Sequence, residues 1–299
     1  MSLLPDQKNF EALLNYLQEK HHFDVTSYKS SSLRRQISSR MQQVSINDFR
    51  EYQDYLEVHS EEILPLFNAI EINVTSFFRD RSAWDYISNQ IVPQIIASKS
   101  LNEPIRVWSA GCAFGQETYT VAMILAESLG LQGFSQQVRI YGTDINQEVL
   151  NRARKGSYPS SEVNNIPGSL LNRYFQLTNN CYVFRHDLRH SFVFQCHNMI
   201  ENPPIPRIDL LICRNALIYF NLKAQTRTLV RFYFSLNENG FLFLGKSEIA
   251  PDMHLFTTVN LEHRVFAKVL KAHLTSQLLI EAFKGKFYQK NRGSPTTLT

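Results

Sequence analysis

Apolar positions recur at helical spacing through the first 70 residues. Phe10, Leu13, Leu14 and Leu17 fall at i, i+3, i+4 and i+7, the stripe of an amphipathic helix. Leu33, Ile37, Met41 and Val44 form a second stripe. A third helix is predicted from Ser45–Asn47, where serine and asparagine suit an N-cap; it presents Ile46, Phe49 and Leu56. Ser60, followed by Glu61 and Glu62, opens a fourth with acids at the positive helix end. The pattern predicts an all-helical domain over 1–72, with a linker and helix over 73–100.

Beyond Pro104 the pattern changes to short apolar runs alternating with helical stretches. IRVWSAG, VRIYGTD, FVFQCHN, IDLLICRN and GFLFLGKSE read as strands. QETYTVAMILAESLG, NQEVLNRARKG and LKAQTRTLVRFYFSL read as helices. Such alternation with short links predicts an α/β fold with a doubly wound, mostly parallel sheet over 101–270. Residues 159–189 interrupt the rhythm and are expected to form a small β insertion around the polar turn Thr178–Asn180. Residues 271–299 are polar and basic, as a flexible tail would be.

Composition narrows the function classes. Hydrophobic residues make up 43% and charged residues 19% of the 299, which is ordinary for a globular protein. A net charge of +4 is too weak to imply nucleic acid or a membrane surface as partner. There is no apolar run of about 20 residues and no signal-peptide pattern at the start, so a cytoplasmic chain without direct membrane insertion is expected. Cys112, Cys181, Cys196 and Cys213 form no CxxC pair. His186 and His190 fall in a strand-and-turn pattern, so no metal is expected.

Three strand ends carry candidate chemistry. The first gives Gly111-Cys-Ala-Phe-Gly115, then Gln116 and Glu117; small residues there let a ligand approach the backbone, or simply make a turn. The absence of GxGxxG argues against a dinucleotide. Asp144 ends the second strand, where a carboxylate can accept two ribose hydroxyls or else cap the next helix. An adenosine-containing ligand without obligatory phosphates, such as S-adenosylmethionine, suits both ends. The third tip is Cys213-Arg214-Asn215.

With NVTSFFRD (73–80), VWSAGCAFGQE (107–117), GTDIN (142–146), ICRNALIYF (212–220) and FLFLGKSE (241–248), the chain closely resembles the CheR family of chemotaxis-receptor glutamate methyltransferases, in order from about residue 8 to 268. The resemblance implies a fold of the S-adenosylmethionine-dependent methyltransferase type. It implies that Asn73, Thr75, Arg79, Gly111, Glu117, Asp144, Asn198, Met199, Asn215 and Ala216 bind S-adenosylmethionine and its product S-adenosylhomocysteine. Asp144 would hold the ribose, Asn198 and Met199 would frame the adenine, and Asn215 and Ala216 would line the methionine side. Arg79 and Tyr219 fall in the motifs around the transferred methyl. Arg79 would clamp a carboxylate and Tyr219 would orient the attacking oxygen; a structural ion pair and a core aromatic are the alternatives.

The chain departs from the family at Phe114, where a small hydroxyl residue is usual, at Gln116, usually an acid, and at Thr118, usually proline. Asn202-Pro203-Pro204-Ile205 resembles the NPPY box of amino-group methyltransferases but precedes IDLLICRN, so it is expected to be the loop entering that strand. The implied partner is the acidic, helical cytoplasmic domain of a chemoreceptor, met by a monomer. Lys29, Arg34, Arg35 and Arg40 lie in a stretch, Val25 to Asn47, without acids, and Arg34, Arg35 and Arg40 are the candidate docking residues. In some relatives the β insertion grips a receptor's terminal peptide; the short polar turn between Phe175 and Tyr182 leaves little surface for that. The rival readings are a non-catalytic module that binds the nucleoside, and a methyltransferase acting on another carboxylate or on nitrogen.

Overall fold

The computed structural model describes residues 5–100, 103–248, 254–270 and 279–280. The expected tail over 271–299 lies outside them except for residues 279–280. Two compact units emerge. One comprises the described residues up to Val74 together with Ile218–Ala224; the other runs from Thr75 to Leu217 and resumes at Gln225.

Four helices build the first unit: α1 (Pro5–His21), α2 (Ser30–Gln43), α3 (Phe49–Val58) and α4 (Ile63–Ile70). The predicted stripes meet in its core, where Phe10, Leu13, Leu17, Leu33, Ile37 and Met41 are buried with Tyr52, Leu56 and Leu66. α3 begins later than predicted from Ser45–Asn47. Ser45 takes a left-handed φ of 62° just after α2. Asp48 then caps α3 by accepting from the amides of Arg50 and Glu51 at 2.8 and 3.1 Å. Glu62, expected at a helix start, does more than favour the helix end. It is buried, accepts both ends of the Arg40 fork at 2.7 and 2.6 Å, and takes the Tyr52 hydroxyl at 2.9 Å.

In the second unit a continuous helical run comes first, α5 (Arg81–Tyr86) and α6 (Val92–Ala97) joined through a π-helical stretch at Ile87–Ile91. Then β1 (Ile105–Ala110), α7 (Gln116–Gln137), β2 (Val138–Asp144) and α8 (Gln147–Lys155) alternate as predicted. Gly130 adopts φ 72°, ψ 163°, outside helical space, so the first helical stretch of α7 stops where predicted and a second stretch carries on to Gln137. β3 (Ser157–Pro159), α9 (Gly168–Tyr174), β4 (Phe175–Thr178) and β5 (Cys181–Phe184) form the insertion, a three-stranded antiparallel sheet ordered β3-β5-β4. Asn179 and Asn180, both at positive φ, close its β4–β5 hairpin with the backbone sign that two-residue turns need. β6 (Phe192–Cys196), β7 (Ile208–Cys213), α10 (Leu222–Ser235) and β8 (Leu236–Leu244) follow. The last of the described strands form an antiparallel pair that the strand pattern did not predict, β9 (Phe256–Asn260) and β10 (Val265–Lys268).

The main sheet has seven strands in the order β6-β2-β1-β7-β8-β10-β9, parallel from β6 to β8, with β10 antiparallel to both neighbours. This is the expected doubly wound α/β sheet. β7 is buried along its whole length, as a central parallel strand must be. Residues 202–206 lie in the loop leading into β7, as expected for the proline-rich segment. No helix among the described residues is long and apolar enough to cross a membrane.

Candidate functional site

Strand order reverses between β1 and β7, since β2 lies on one side of β1 and β7 on the other. Ligands bind beyond the carboxyl ends of parallel strands at such a point. The register sets Ala110 beside Thr143 and Ser109 beside Ile212, so the tips of β1, β2 and β7 adjoin. The amides of Gly111 and Cys112 both donate to the Thr143 carbonyl, at 2.8 and 2.9 Å. Gly111 sits at φ +73°, and a Cβ there would lie 3.1 Å from Ala216 Cβ and 3.3 Å from Met199 Cε. Glycine is needed on both counts. Gly111, Met199 and Ala216 thus meet, although nearly a hundred residues separate the first two.

Asp144 is buried at the tip of β2. Its Oδ2 accepts from the Ala113 amide at 2.9 Å and its Oδ1 from the Asn146 amide at 3.0 Å. It is not the cap of α8. That role falls to Asn146, whose Oδ1 accepts from the amides of Glu148 and Val149 at 2.9 and 3.3 Å. Asp144 instead fastens the loop after β1 to the end of β2, with the Ile145 amide as a further backbone donor. Burial raises its pKa above the ordinary value, against the pull of the backbone amides. A hydroxyl-bearing ligand would relieve that cost.

Glu117 stands in the first turn of α7, and the Ser109 hydroxyl donates to its Oε1 at 2.7 Å. Burial pushes its carboxyl up to about 7, opposed by the Arg214 charge and the Ser109 hydrogen bond. Part of Glu117 still reaches solvent, so water offsets some of that burial. Arg214, almost wholly buried after β7, lies over the rings of Trp84 and Phe243 at 5.6 and 4.8 Å. It donates to the Arg79 carbonyl at 2.9 Å and to Asp80 Oδ2 at 2.5 Å. The backbone at Arg79 is therefore held by a residue more than a hundred positions away.

On the adenine side named by the resemblance, Asn198 Oδ1 accepts from the Ile200 amide at 2.9 Å, and the Asn198 amide donates to Asn202 Oδ1 at 2.7 Å. Next to it, His197 meets Trp108 edge-on at 5.3 Å, and burial holds its imidazole below the usual range. Asn215 adopts a left-handed φ of 60°, and its Oδ1 is buried without a hydrogen-bond partner. The thiols of Cys112 and Cys213 are buried and pushed well above their ordinary value, so neither offers a thiolate nucleophile.

Among the sequence candidates, Thr75, Arg79, Gly111, Glu117, Asp144, Asn198, Met199, Asn215 and Ala216 all belong to the α/β unit. Asn73 and Tyr219 belong to the helical unit, where the Lys29 amide donates to the Tyr219 carbonyl at 2.9 Å. Of the docking candidates, Arg34 pairs with Asp6 at 2.6 Å and lies over Phe10 at 4.3 Å, and Arg40 is taken up by Glu62. Arg35 is the exposed one of the three.

The departures from the family pattern are accommodated locally. The Arg152 guanidinium lies 4.4 Å over the Phe114 ring, and the Tyr158 hydroxyl donates to the Phe114 carbonyl at 2.7 Å. Gln116 Nε2 donates to Glu162 at 3.1 Å, and Glu162 also pairs with Arg152. Thr118 is buried; a Cβ on neighbouring Gly142 would sit 3.2 Å from its hydroxyl. The sequence reading named Arg214 only as part of the tip of β7 and gave Ser109 and Glu248 no role. Arg214 and Glu248 nevertheless stand inside the motifs CRNALIYF and GKSE.

The residues at these tips fit a nucleoside bearing an amino acid. Gly111 leaves bare backbone packed beside Met199 and Ala216, and the buried Asp144 carboxylate stands at the tip of β2 against the loop that follows β1. An unpartnered amide oxygen and a second carboxylate suit donors such as an ammonium group.

The model for the CheR methyltransferase SAM binding domain matches residues 73–265, and that for the CheR methyltransferase all-alpha domain matches 8–70. An uncharacterized 104.1 kDa protein in the hypE 3′ region of Rhodobacter capsulatus is 32% identical over 240 residues, covering 80% of this chain and 25% of that one. The chain thus spans a quarter of that relative's length. A chemotaxis protein methyltransferase of Borreliella burgdorferi is 31% identical over 243 residues, covering 79% and 86% of the two chains. Among solved structures, magnesium protoporphyrin IX methyltransferase from Synechocystis with bound SAM aligns with a TM-score of 0.34 at 14% identity, over 62% of this chain and 79% of that one.

Proposed function

The chain belongs to the CheR family of methyltransferases, and from that premise we propose that it methylates glutamate side chains in the cytoplasmic domain of a chemotaxis receptor, using S-adenosylmethionine. The observation that most supports this reading is the approach of Gly111 to Ala216 where the strand order reverses, next to the loop that Asp144 fastens through Ala113, inside the segment that matches the SAM-binding model. The chemotaxis name of the Borreliella relative supports the choice of receptor.

When bound, S-adenosylmethionine supplies a sulfonium that gives its methyl to a nucleophile while sulfur leaves with the bonding electron pair. The chain's own residues bind and orient. Asp144 accepts the ribose hydroxyls. Asn198 and Met199 frame the adenine, and Asn215, Ala216 and Glu117 receive the amino-acid end. Asn73, Thr75 and Arg79 complete the binding set. A glutamate of ordinary pKa is already ionised at neutral pH, so the acceptor needs no general base. What is required is a desolvated carboxylate held close to the methyl group. Arg79, as a fixed cation, and Tyr219, through its hydroxyl, orient that carboxylate. Arg35 contributes the exposed positive charge for an acidic partner.

Donor labelled on its methyl group, offered with a panel of receptor cytoplasmic fragments, tests the reaction. A glutamate methyl ester releases its label as volatile methanol in mild alkali, whereas a methylated nitrogen keeps it. Alkali-labile label on the receptor is the expected result. Alkali-stable label would move the chemistry to nitrogen, and no label on any fragment would favour a module that binds the donor without transferring its methyl.

A further inference from the structure

Glu248 lies just beyond β8, 3% exposed, in the GKSE segment to which the proposed reaction assigns no task. Its Oε1 accepts from the Ala216 amide at 2.9 Å. Its other oxygen is buried, and Gly245 leaves room for it: a Cβ on Gly245 would stand 2.4 Å from Glu248 Oε2 and 3.0 Å from the Asn215 nitrogen. The Glu248 backbone is fixed as well, because its amide donates to the Gly245 carbonyl at 3.2 Å and its carbonyl accepts from the Arg264 guanidinium. A rigid carboxylate at the end of β8 therefore grips the backbone at the end of β7.

The gripped segment is unusual. Asn215 holds a left-handed φ of 60°, a region that asparagine enters more readily than other side chains but that still needs a neighbour to select it. Ala216, next in line, is the residue that Gly111 approaches across the sheet. Burial of the Glu248 carboxylate is costly and pushes its pKa up, opposed by the Ala216 amide, the Arg214 charge and the amides of Asn215 and Gly245. A charged acceptor makes the stronger and more directional bond.

We propose that Glu248 is a positioning residue for the methyl donor: it holds the Asn215–Ala216 turn in the conformation that receives the donor's amino-acid end. The inference rests on the donor reading of the site given above. Glu248 touches neither the donor nor the acceptor; it acts through the backbone it bonds. Substituting it therefore weakens donor binding and leaves the rate at saturating donor close to that of the wild-type chain.

Two variants disturb the contact from opposite sides. Glu248→Ala removes the acceptor, and Gly245→Ala drives a methyl group into the space of Oε2 while keeping the carboxylate. Titration calorimetry with S-adenosylhomocysteine should show a dissociation constant raised about tenfold or more in Glu248→Ala, the effect of losing a charge-assisted hydrogen bond. Gly245→Ala should shift it in the same direction, and Glu248→Gln, which can still accept from Ala216, should recover part of the loss. The Ala216 amide proton should move upfield in Glu248→Ala, a change that a general loss of stability would not produce in folded protein. Should Glu248→Ala fail to fold, the same comparison stands on Gly245→Ala and Glu248→Gln. Donor affinity within twofold of wild type in the folded variants, or a fall in turnover with unchanged affinity, would overturn the inference alone. A wild-type chain that binds no S-adenosylhomocysteine would overturn the donor reading and this inference with it.

Discussion

Arg214 reaches from the end of β7 to the Asp80 carboxylate, and the same guanidinium holds the Arg79 carbonyl at 2.9 Å. One buried cation thereby fixes the backbone of a residue assigned to the reacting centre. The Arg214 side chain is 3% exposed and that of Asp80 27%. Removing Arg214 leaves Asp80 part-exposed with Lys246 at 3.8 Å, so the cost is about 1–3 kcal/mol, below that of breaking a fully buried pair. Arg214→Ala should lower stability by about that amount, read from the urea transition of Trp84 fluorescence, because the guanidinium lies over that ring. Arg214→Lys, which keeps the charge but loses the fork, should fall between. An unchanged transition in Arg214→Ala would assign the pair no part in holding the segment.

Glu117 links stability to pH with a definite sign. Its folded value, about 7, lies above the ordinary 4.5. Its contribution to stability is complete below pH 4.5 and is lost as pH rises through 7. Glu117→Gln should therefore melt higher than the wild-type chain at pH 8, by roughly 1–3 kcal/mol allowing for solvent at its exposed part, and match it near pH 4.5. The same substitution should weaken S-adenosylhomocysteine binding. Equal melting at pH 8 would show that burial does not strain the carboxylate.

Asp144→Ala should weaken S-adenosylhomocysteine binding by about 1.5–3 kcal/mol, ten- to a hundredfold, in calorimetry. Since Asn146 caps α8, the helix should remain, and far-ultraviolet circular dichroism of the variant should match the wild-type spectrum. Unchanged affinity would confine Asp144 to fastening the β1 loop.

Tyr219→Phe should lower turnover more than donor affinity, because the proposed hydrogen bond acts on the reacting oxygen. Its backbone bond from Lys29 is untouched by the substitution. Parallel losses in both quantities would assign the hydroxyl to donor binding.

Arg35→Glu should raise the KM for a receptor fragment at low ionic strength and leave donor affinity alone, with the effect fading at high salt. Arg34→Glu is a poorer probe, since it also breaks the pairing with Asp6 and the contact with Phe10. Identical kinetics for Arg35→Glu at low salt would remove this helix from the docking surface.

The parallel strands and the helical stripes were legible because burial leaves a period in the sequence, as in β7 and in Phe10–Leu13–Leu17. β9 and β10 were not. β9 exposes Thr257, Thr258 and Val259 in succession, with no alternation to read. The α3 cap was misplaced because Ser45, Asn47 and Asp48 lie within four positions, all are good caps, and only the backbone decides among them. At the site, Gly111, Glu117 and Asp144 were visible as small or acidic residues at strand tips. The roles of Glu248 and Arg214 were not, because their partners Ala216 and Asp80 are distant in sequence and an acceptor for a backbone amide carries no motif of its own.

The short stretch Ile218–Ala224 comes from the α/β half of the sequence yet packs with the helices: the Asn221 amide donates to Ser27 at 2.9 Å, and the Phe220 ring meets Tyr28 edge-on at 5.2 Å. The helical unit is consequently not a bead that can be clipped off the front of the chain. A protease cutting after Val74 would sever one covalent connection and leave the helices tethered through a segment that cleavage does not release. A gene fragment starting at Thr75 would in turn produce a chain whose Phe220 and Asn221 have lost their packing partners. Recombination that exchanged the first 74 residues between relatives would have to bring along a matching heptapeptide from the middle of the second half, so the two halves of the gene are bound to change together.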